Sequence, residues 1–236
     1  MSVSDRNPND SNSPEPSNVT LGVDLPSFQA SAIWNALSCT PGVGLSVIDT
    51  EGRLLFVNDL TSALFLESNL DYQGKTLADF HPPEFVEERL RMIRQCIDQG
   101  RPLGIDHIYH GNPIGSVLWP IPDAMPPHGR VIVVSRLRTD AEPTPRIQCE
   151  TVATNYIGLG PLSVLTRREL EVLAILGHGL TVPEAARMLH RSPKTVERHK
   201  DSISRKLSLH GQAELVEIVT RMGLEISDAK LKRYPE

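Results

Sequence analysis

The chain has 236 residues and a formal net charge of −5; 39% of its residues are hydrophobic and 22% charged. That length allows one large domain or two small ones, and the balance supports an ordinary core rather than a wholly disordered chain. No apolar run approaches the ~18–20 residues of a membrane-spanning helix, the N-terminus lacks a secretory pattern, and Cys39, Cys96 and Cys149 are too scattered for a disulfide framework or a zinc site. A reducing cytoplasm is the expected location, with no membrane partner.

Charge is unevenly spread. Residues 1–160 hold 11 Lys and Arg against 19 Asp and Glu, whereas residues 161–236 hold 13 against 10. A basic excess confined to a short C-terminal part suggests an arm with a polyanionic partner.

Residues 1–25 are rich in Ser, Asn, Asp and Pro and nearly devoid of large apolar side chains. Such a segment cannot offset its ordering entropy, so a disordered tail is expected. Residues 26–138 read as one mixed domain. Phe28–Ser38 predicts a short helix with Ile33, Trp34 and Leu37 inward. Gly44–Asp49 and Arg53–Val57 form a hairpin signature across Asp49-Thr50-Glu51-Gly52. Asn58 can cap a helix whose apolar face is Leu60, Ala63, Leu64 and Leu66. Gly74–Phe80 starts a short helical piece. Pro82-Pro83 opens a longer helix through Ile97, closed by Gly100, with Phe85, Leu90, Ile93 and Ile97 as its stripe. Three strands follow, Leu103–Ile108, Ile114–Ile121 and Arg130–Ser135. Pro120, Pro122, Pro126 and Pro127 push the intervening loop out of the sheet. Two strands, several helices, then three strands is an α+β order: an antiparallel sheet with helices on one face. Residues 139–160 read as a linker, within which Thr151–Leu159 is compatible with a short strand or turn.

The run resembles a PAS domain through Gly44-Leu45-Ser46-Val47-Ile48-Asp49, Glu51-Gly52, Val57-Asn58, Ala63, Gly74-Lys75, Asp79, Pro82-Pro83 and the last three strands. The resemblance implies a PAS-like five-stranded antiparallel sheet with helices over one face, and a role in sensing. Some PAS domains hold haem through a histidine. Here His81 reads as a solvated surface residue, as do His107 and His110. The photoactive flavin version needs a cysteine in an Asn-Cys-Arg-type motif, which Arg94-Gln95-Cys96-Ile97-Asp98 is not. No cofactor is expected. Asp49 reads as a turn residue rather than a phosphoacceptor, and Trp34 and Trp119 do not suggest an acyl-homoserine-lactone pocket.

Residues 161–225 carry the sharpest signals, before a tail at 226–236. Thr166 with Glu169, and Thr181 with Glu184, are capping boxes. Leu170, Val172, Leu173, Ile175 and Leu176 follow the first and predict a buried helix ending at Gly177 or Gly179. Ala185, Ala186, Met188 and Leu189 follow the second. Ser192-Pro193 pairs an N-cap with proline at the first helical position. The helix it starts runs to about Leu207, with Val196, His199, Ile203 and Leu207 on one face and Lys194, Arg198, Asp201 and Arg205 on another. His199 is expected to be packed. A fourth helix spans about Gly211 to Met222 and stops at Gly223. The short connection between the two middle helices predicts a helix-turn-helix. Residues 191–206 hold six basic residues against two acidic ones, which suits insertion into the major groove.

This part resembles the LuxR/NarL-type DNA-binding domain, through Leu165-Thr166-Arg167-Arg168-Glu169-Leu170-Glu171-Val172-Leu173, Gly179-Leu180-Thr181, Glu184-Ala185-Ala186, Leu189, Ser192 to His199, Ile203, Arg205-Lys206-Leu207 and Ala213-Glu214-Leu215-Val216. The chain departs from the family pattern at Leu209-His210-Gly211. The resemblance implies an all-α four-helix LuxR-type helix-turn-helix domain, its third helix reading DNA and its fourth often forming the dimer contact. The expected DNA-binding set is Thr181, Ser192, Lys194, Thr195, Glu197, Arg198, Lys200, Asp201, Arg205 and Lys206. Lys194 and Arg198 suit bases or phosphates. Lys200, Arg205 and Lys206 suit phosphates, and Thr195 suits either a phosphate or the helix start. Glu197 and Asp201 either accept from cytosine amino groups or pair with Arg198 and Arg205.

No Gly-rich phosphate loop, G-x-S-x-G elbow or H-E-x-x-H pair is present, so an enzyme is not expected. The expectation is a cytoplasmic transcriptional regulator that binds double-stranded DNA as a homodimer and whose PAS-like domain senses a small molecule or partner. The alternative is a ligand-free protein-interaction or dimerisation platform. An apolar pocket with polar groups favours the first, and a pocket plugged by Phe, Leu and Ile favours the second.

Overall fold

The computed structural model describes residues 30–66, 72–122, 129–138 and 149–234; the expected N-terminal tail at 1–25 lies outside them. Helix α1 (Ala30–Ser38) opens the described chain. Only Trp34 turns in, edge-on to Phe56 with ring centroids 4.8 Å apart. Ile33 and Leu37, expected inward, are exposed, because no described element covers their face of α1.

Strands β1 (Gly44–Asp49) and β2 (Leu54–Val57) pair antiparallel. Their turn is built by Asp49, whose Oδ1 accepts from the N–H groups of Glu51 at 2.9 Å and Arg53 at 2.8 Å. Such carboxylate-to-backbone bonds explain why Asp opens the turn. Asn58 caps α2 (Asp59–Phe65), accepting from Thr61 N–H at 3.1 Å. The same side chain accepts from Leu45 N–H and donates to Val43 C=O, so one asparagine ties α2 to β1. On α2 itself the buried residue is Thr61, while Ala63 is exposed. The expected apolar face is thus rotated, placing a hydroxyl toward the interior.

Helix α3 (Pro83–Gln99) begins on proline and ends at Gly100, which takes φ +61°. Its buried side chains are Phe85, Val86, Glu88, Met92, Ile93 and Cys96. Leu90 and Ile97 are only half-buried. Strands β3 (Leu103–Tyr109), β4 (Asn112–Pro120) and β5 (Arg130–Leu137) complete the five expected antiparallel strands. A sixth, β6 (Glu150–Ala153), lies parallel to β3, giving the order β2-β1-β5-β4-β3-β6. The sheet is therefore mixed and not purely antiparallel, and residues 150–153 of the expected linker are strand. Strand periodicity sends Ser46, Ile48, Ile105, His107, Ser116, Leu118, Val133 and Ser135 to one face, beneath α3.

After β7 (Tyr156–Ile157) come α4 (Arg167–Gly177), α5 (Val182–Met188), α6 (Pro193–Leu207) and α7 (Gln212–Met222). Both capping boxes and the Ser192 cap form as the sequence predicts. Helix α4 is the hub, with Leu170 and every residue from Val172 to Gly177 buried. Gly177 lies so close to Val219 that an added Cβ would overlap it. Glycine there permits the α4–α7 approach. The core continues through Val196, Ile203 and Leu215 and takes in Ile108 from β3.

Beyond α7 the chain does not trail away. Strand β8 (Lys232–Arg233) pairs in parallel with β7, and Tyr234 is buried among Phe85, Tyr109 and Ile114. Residues 228–234 of the expected tail are thus structured, with Ala229 in the core of the helical bundle and Tyr234 against the N-terminal unit.

Candidate nucleic-acid interface and sensor cavity

The polar face of α6 stands on a tightly packed base. Val196 and Ile203 are buried against α4, and His199 and Leu207 are half-buried beside them. On the outer side Lys194, Glu197, Arg198, Asp201 and Arg205 are exposed. Lys200 and Thr195 are half-buried. Among the described residues Lys194, Arg198, Lys200 and Arg205 enter no ion pair, so Glu197 and Asp201 do not neutralise them. Four unpaired cations on one helix suit a polyanion.

Three of the expected residues also hold the motif together. Ser192 Oγ accepts from Thr195 N–H at 3.2 Å, and Thr181 Oγ1 donates to Glu184 at 2.6 Å. Both hydroxyls are engaged in caps. Lys206 donates to Glu169 at 2.7 Å and to Val164 C=O at 3.1 Å. Ser202 Oγ and the Thr166 N–H donate to the same Glu169 carboxylate. Burial alone would raise that carboxyl, but the bonds from Lys206, Thr166 and Ser202 outweigh it and hold Glu169 down at about 2. Lys206 is thereby a brace between α6 and α4.

A second site lies under α3. A cavity of about 90 Å³ opens between α3 and the sheet. Ile48, Leu54, Val57, Leu66, Leu77, Ile93, Ile105, Leu118 and Val133 make its wall apolar. Polar groups interrupt that wall at Thr61, Arg89, His81, His107, Ser116 and Ser135. Ser116 and Ser135 bond each other at 2.9 Å. Thr61 Oγ1 is buried without a hydrogen-bond partner among the described residues.

His81, expected at the surface, is buried here. Its Nδ1 lies 2.6 Å from the Tyr234 hydroxyl. Burial, reinforced by Arg89 and His110, pushes its pKa down to about 4. His107 is likewise held well below its ordinary value by burial and by Arg89. Cys96 is fully buried, and burial lifts its thiol to about 11, the opposite of a reactive cysteine.

Sequence reasoning missed Glu88. Its carboxylate accepts from Thr154 Oγ1 at 2.7 Å, Asn155 N–H at 2.8 Å and the Asn155 side chain at 2.7 Å. Glu88 thus clamps the segment between β6 and β7. The signal was its spacing, because Phe85, Glu88, Met92 and Cys96 fall on one helical face. Tyr234 gave no local signal at all.

Residues 42–141 match the model of the PAS fold, and residues 163–219 match that of bacterial regulatory proteins of the luxR family. An uncharacterized response regulatory protein of Escherichia coli K12, YgeK, is 37% identical over 78 residues, 33% of this chain and 51% of that protein. The oxygen regulatory protein NreC of Staphylococcus carnosus is 42% identical over 64 residues, 27% of this chain and 30% of that protein. The chain thus spans about half or less of the curated relatives it matches. A solved complex of Vibrio cholerae VqmA with ligand and DNA is 19% identical with a TM-score of 0.46, covering 88% of this chain and 95% of that one. Among the described residues no helix is long and apolar enough to cross a membrane. The chain joins a PAS-fold domain to a helix-turn-helix domain of the luxR family of bacterial regulatory proteins.

Proposed function

We propose that this protein is a sequence-specific regulator of transcription, acting in the cytoplasm as a homodimer on double-stranded DNA. The observation that carries the reading is the outer face of α6, where Lys194, Arg198, Lys200 and Arg205 stand without ion-pair partners among the described residues. In the major groove, Lys194 and Arg198 near the start of α6 reach base edges, and Lys200 and Arg205 meet phosphates. Glu197 and Asp201 reject or select bases beside them. Thr181, Ser192 and Thr195 hold the helix starts, with backbone N–H groups near the phosphates. The exposed Ile33 and Leu37 on α1 support pairing with a second copy.

The N-terminal domain is the sensor. A ligand-free platform calls for a cavity plugged by apolar side chains. The polar groups and the unpartnered Thr61 hydroxyl favour an occupant instead. The decisive experiment selects bound duplexes from a random pool with the full chain, then titrates the winners with salt. A two-fold-related consensus with steep salt dependence is the expected result. Failure to enrich any sequence, with the full chain and with residues 155–236 alone, would overturn the reading.

A further inference from the structure

Among the described residues Arg89 is the one guanidinium lining the cavity, and its side chain is only 12% exposed. Its polar contacts are all long: Met92 Sδ, His107 Nδ1 and Thr154 Oγ1, each at 3.4 Å. The nearest carboxylate oxygen, on Glu88, is 3.8 Å away. That carboxylate already accepts three bonds of 2.7–2.8 Å from Thr154 and Asn155. Charge-assisted bonds to guanidinium run at about 2.7–2.9 Å. Arg89 is therefore desolvated, stacked 4.4 Å over the Phe85 ring, and short of a close acceptor. On α2 the Thr61 hydroxyl, also lining the cavity, has no partner among the described residues. Every other large lining group is apolar or a histidine held neutral by burial.

We propose that the cavity takes a small monocarboxylate with a compact apolar body, its carboxylate against Arg89 and its body against Ile48, Leu54, Ile93 and Leu118. This rests on reading the cavity as a ligand site. The guanidinium already faces Glu88 at 3.8 Å, so it accepts at most one further negative charge, which excludes di- and triphosphates. A cation would face Arg89 with no free carboxylate to receive it. The volume of about 90 Å³ is smaller than the ~150 Å³ cavity known to hold benzene. The occupant is therefore smaller than a six-membered ring, or the cavity widens to admit one. Thr61 donates to or accepts from a polar atom of the same molecule.

The test uses the full chain and four probes: benzoate, 3-methylbutanoate, benzamide and benzylamine. Titration calorimetry is expected to show the two carboxylates binding at least tenfold more tightly than benzamide, with no binding of benzylamine. In Arg89→Met the carboxylate preference should fall below twofold while benzamide affinity is kept. Val133→Phe, which fills the cavity, should abolish binding of every probe. If Arg89→Met does not fold, the charge series on the unaltered chain decides. Benzamide binding as tightly as benzoate would overturn the carboxylate assignment and leave the cavity reading standing. No binding by any probe would overturn both.

Discussion

The two domains place their polar chemistry on opposite sides of their cores. In the C-terminal bundle Leu170, Val172, Leu173, Leu176, Val196, Ile203 and Leu215 close the interior completely, and the cations stand outside on α6. In the N-terminal domain the interior is left open, and Arg89, His107 and Thr61 face inward. A rigid surface must be backed by a full core, because a loose base would blur the spacing of side chains along a groove. A receptor must do the reverse and keep space and unspent hydrogen-bonding capacity inside. Packing alone thus separates the two domains.

The sharpest way to break this comparison is to change one interior side chain on each side. Leu173→Ala should cost about 2–5 kcal/mol in thermal or denaturant unfolding. Thr61→Val removes an unpartnered buried oxygen and should be neutral or stabilising by up to about 1 kcal/mol. Equal losses from both would mean that the N-terminal core is as tightly specified as the C-terminal one. On the outer face, Arg198→Ala should cost about 1–3 kcal/mol on the preferred duplex and relax selection at one or two base pairs. Lys206→Ala should lower the melting temperature more than it weakens DNA binding, because Lys206 is bonded to Glu169.

Acid should separate the domains as well. His81 has its pKa depressed from 6.5 to about 4, so between those values the unfolded chain takes up a proton that the folded chain refuses. Stability contributed near His81 is therefore full above pH 6.5 and declines as pH falls toward 4. Glu169 is depressed from 4.5 to about 2, so its contribution is full above 4.5 and declines only below that. Hydrogen exchange across a pH series should show the cluster around His81 loosening before the α4–α6 brace. The smallest expected effect is Tyr234→Phe, which removes the hydroxyl 2.6 Å from His81 Nδ1. It should cost about 1 kcal/mol, read as roughly fivefold faster exchange at residues 228–234.

Whatever depended on neighbouring residues was legible in the sequence. The Asp49 turn, the Asn58, Thr166, Thr181 and Ser192 caps and the Gly100 and Gly223 stops follow from backbone hydrogen bonding within a few residues. What escaped was set by partners far along the chain. His81 looks polar and exposed until Tyr234, 153 positions later, covers it. Residues 150–153 lie in a linker compatible with a short strand or a turn, and strand is selected because β3 offers a free edge. Lys206 belongs to a basic run, and only the fold brings Glu169 to it. Ile33 and Leu37 have the spacing of a buried stripe, yet no described element covers them.

The return of β8 to β7 has a mechanical consequence. The helical bundle leaves the sensor through β7 and comes back through β8, which lie side by side. Gly158 N–H bonds Ile108 C=O at 2.9 Å on one side, and Tyr234 N–H bonds Ile157 C=O at 2.7 Å on the other. A domain hung from one strand of polypeptide can tumble freely. One fastened at both its entry and its exit can swing only about the line joining the two fastenings. A bundle so fastened, and with Ile108 of β3 built into its own core, is held against the sheet at its root, and one end of that root is anchored 2.6 Å from a residue lining the cavity.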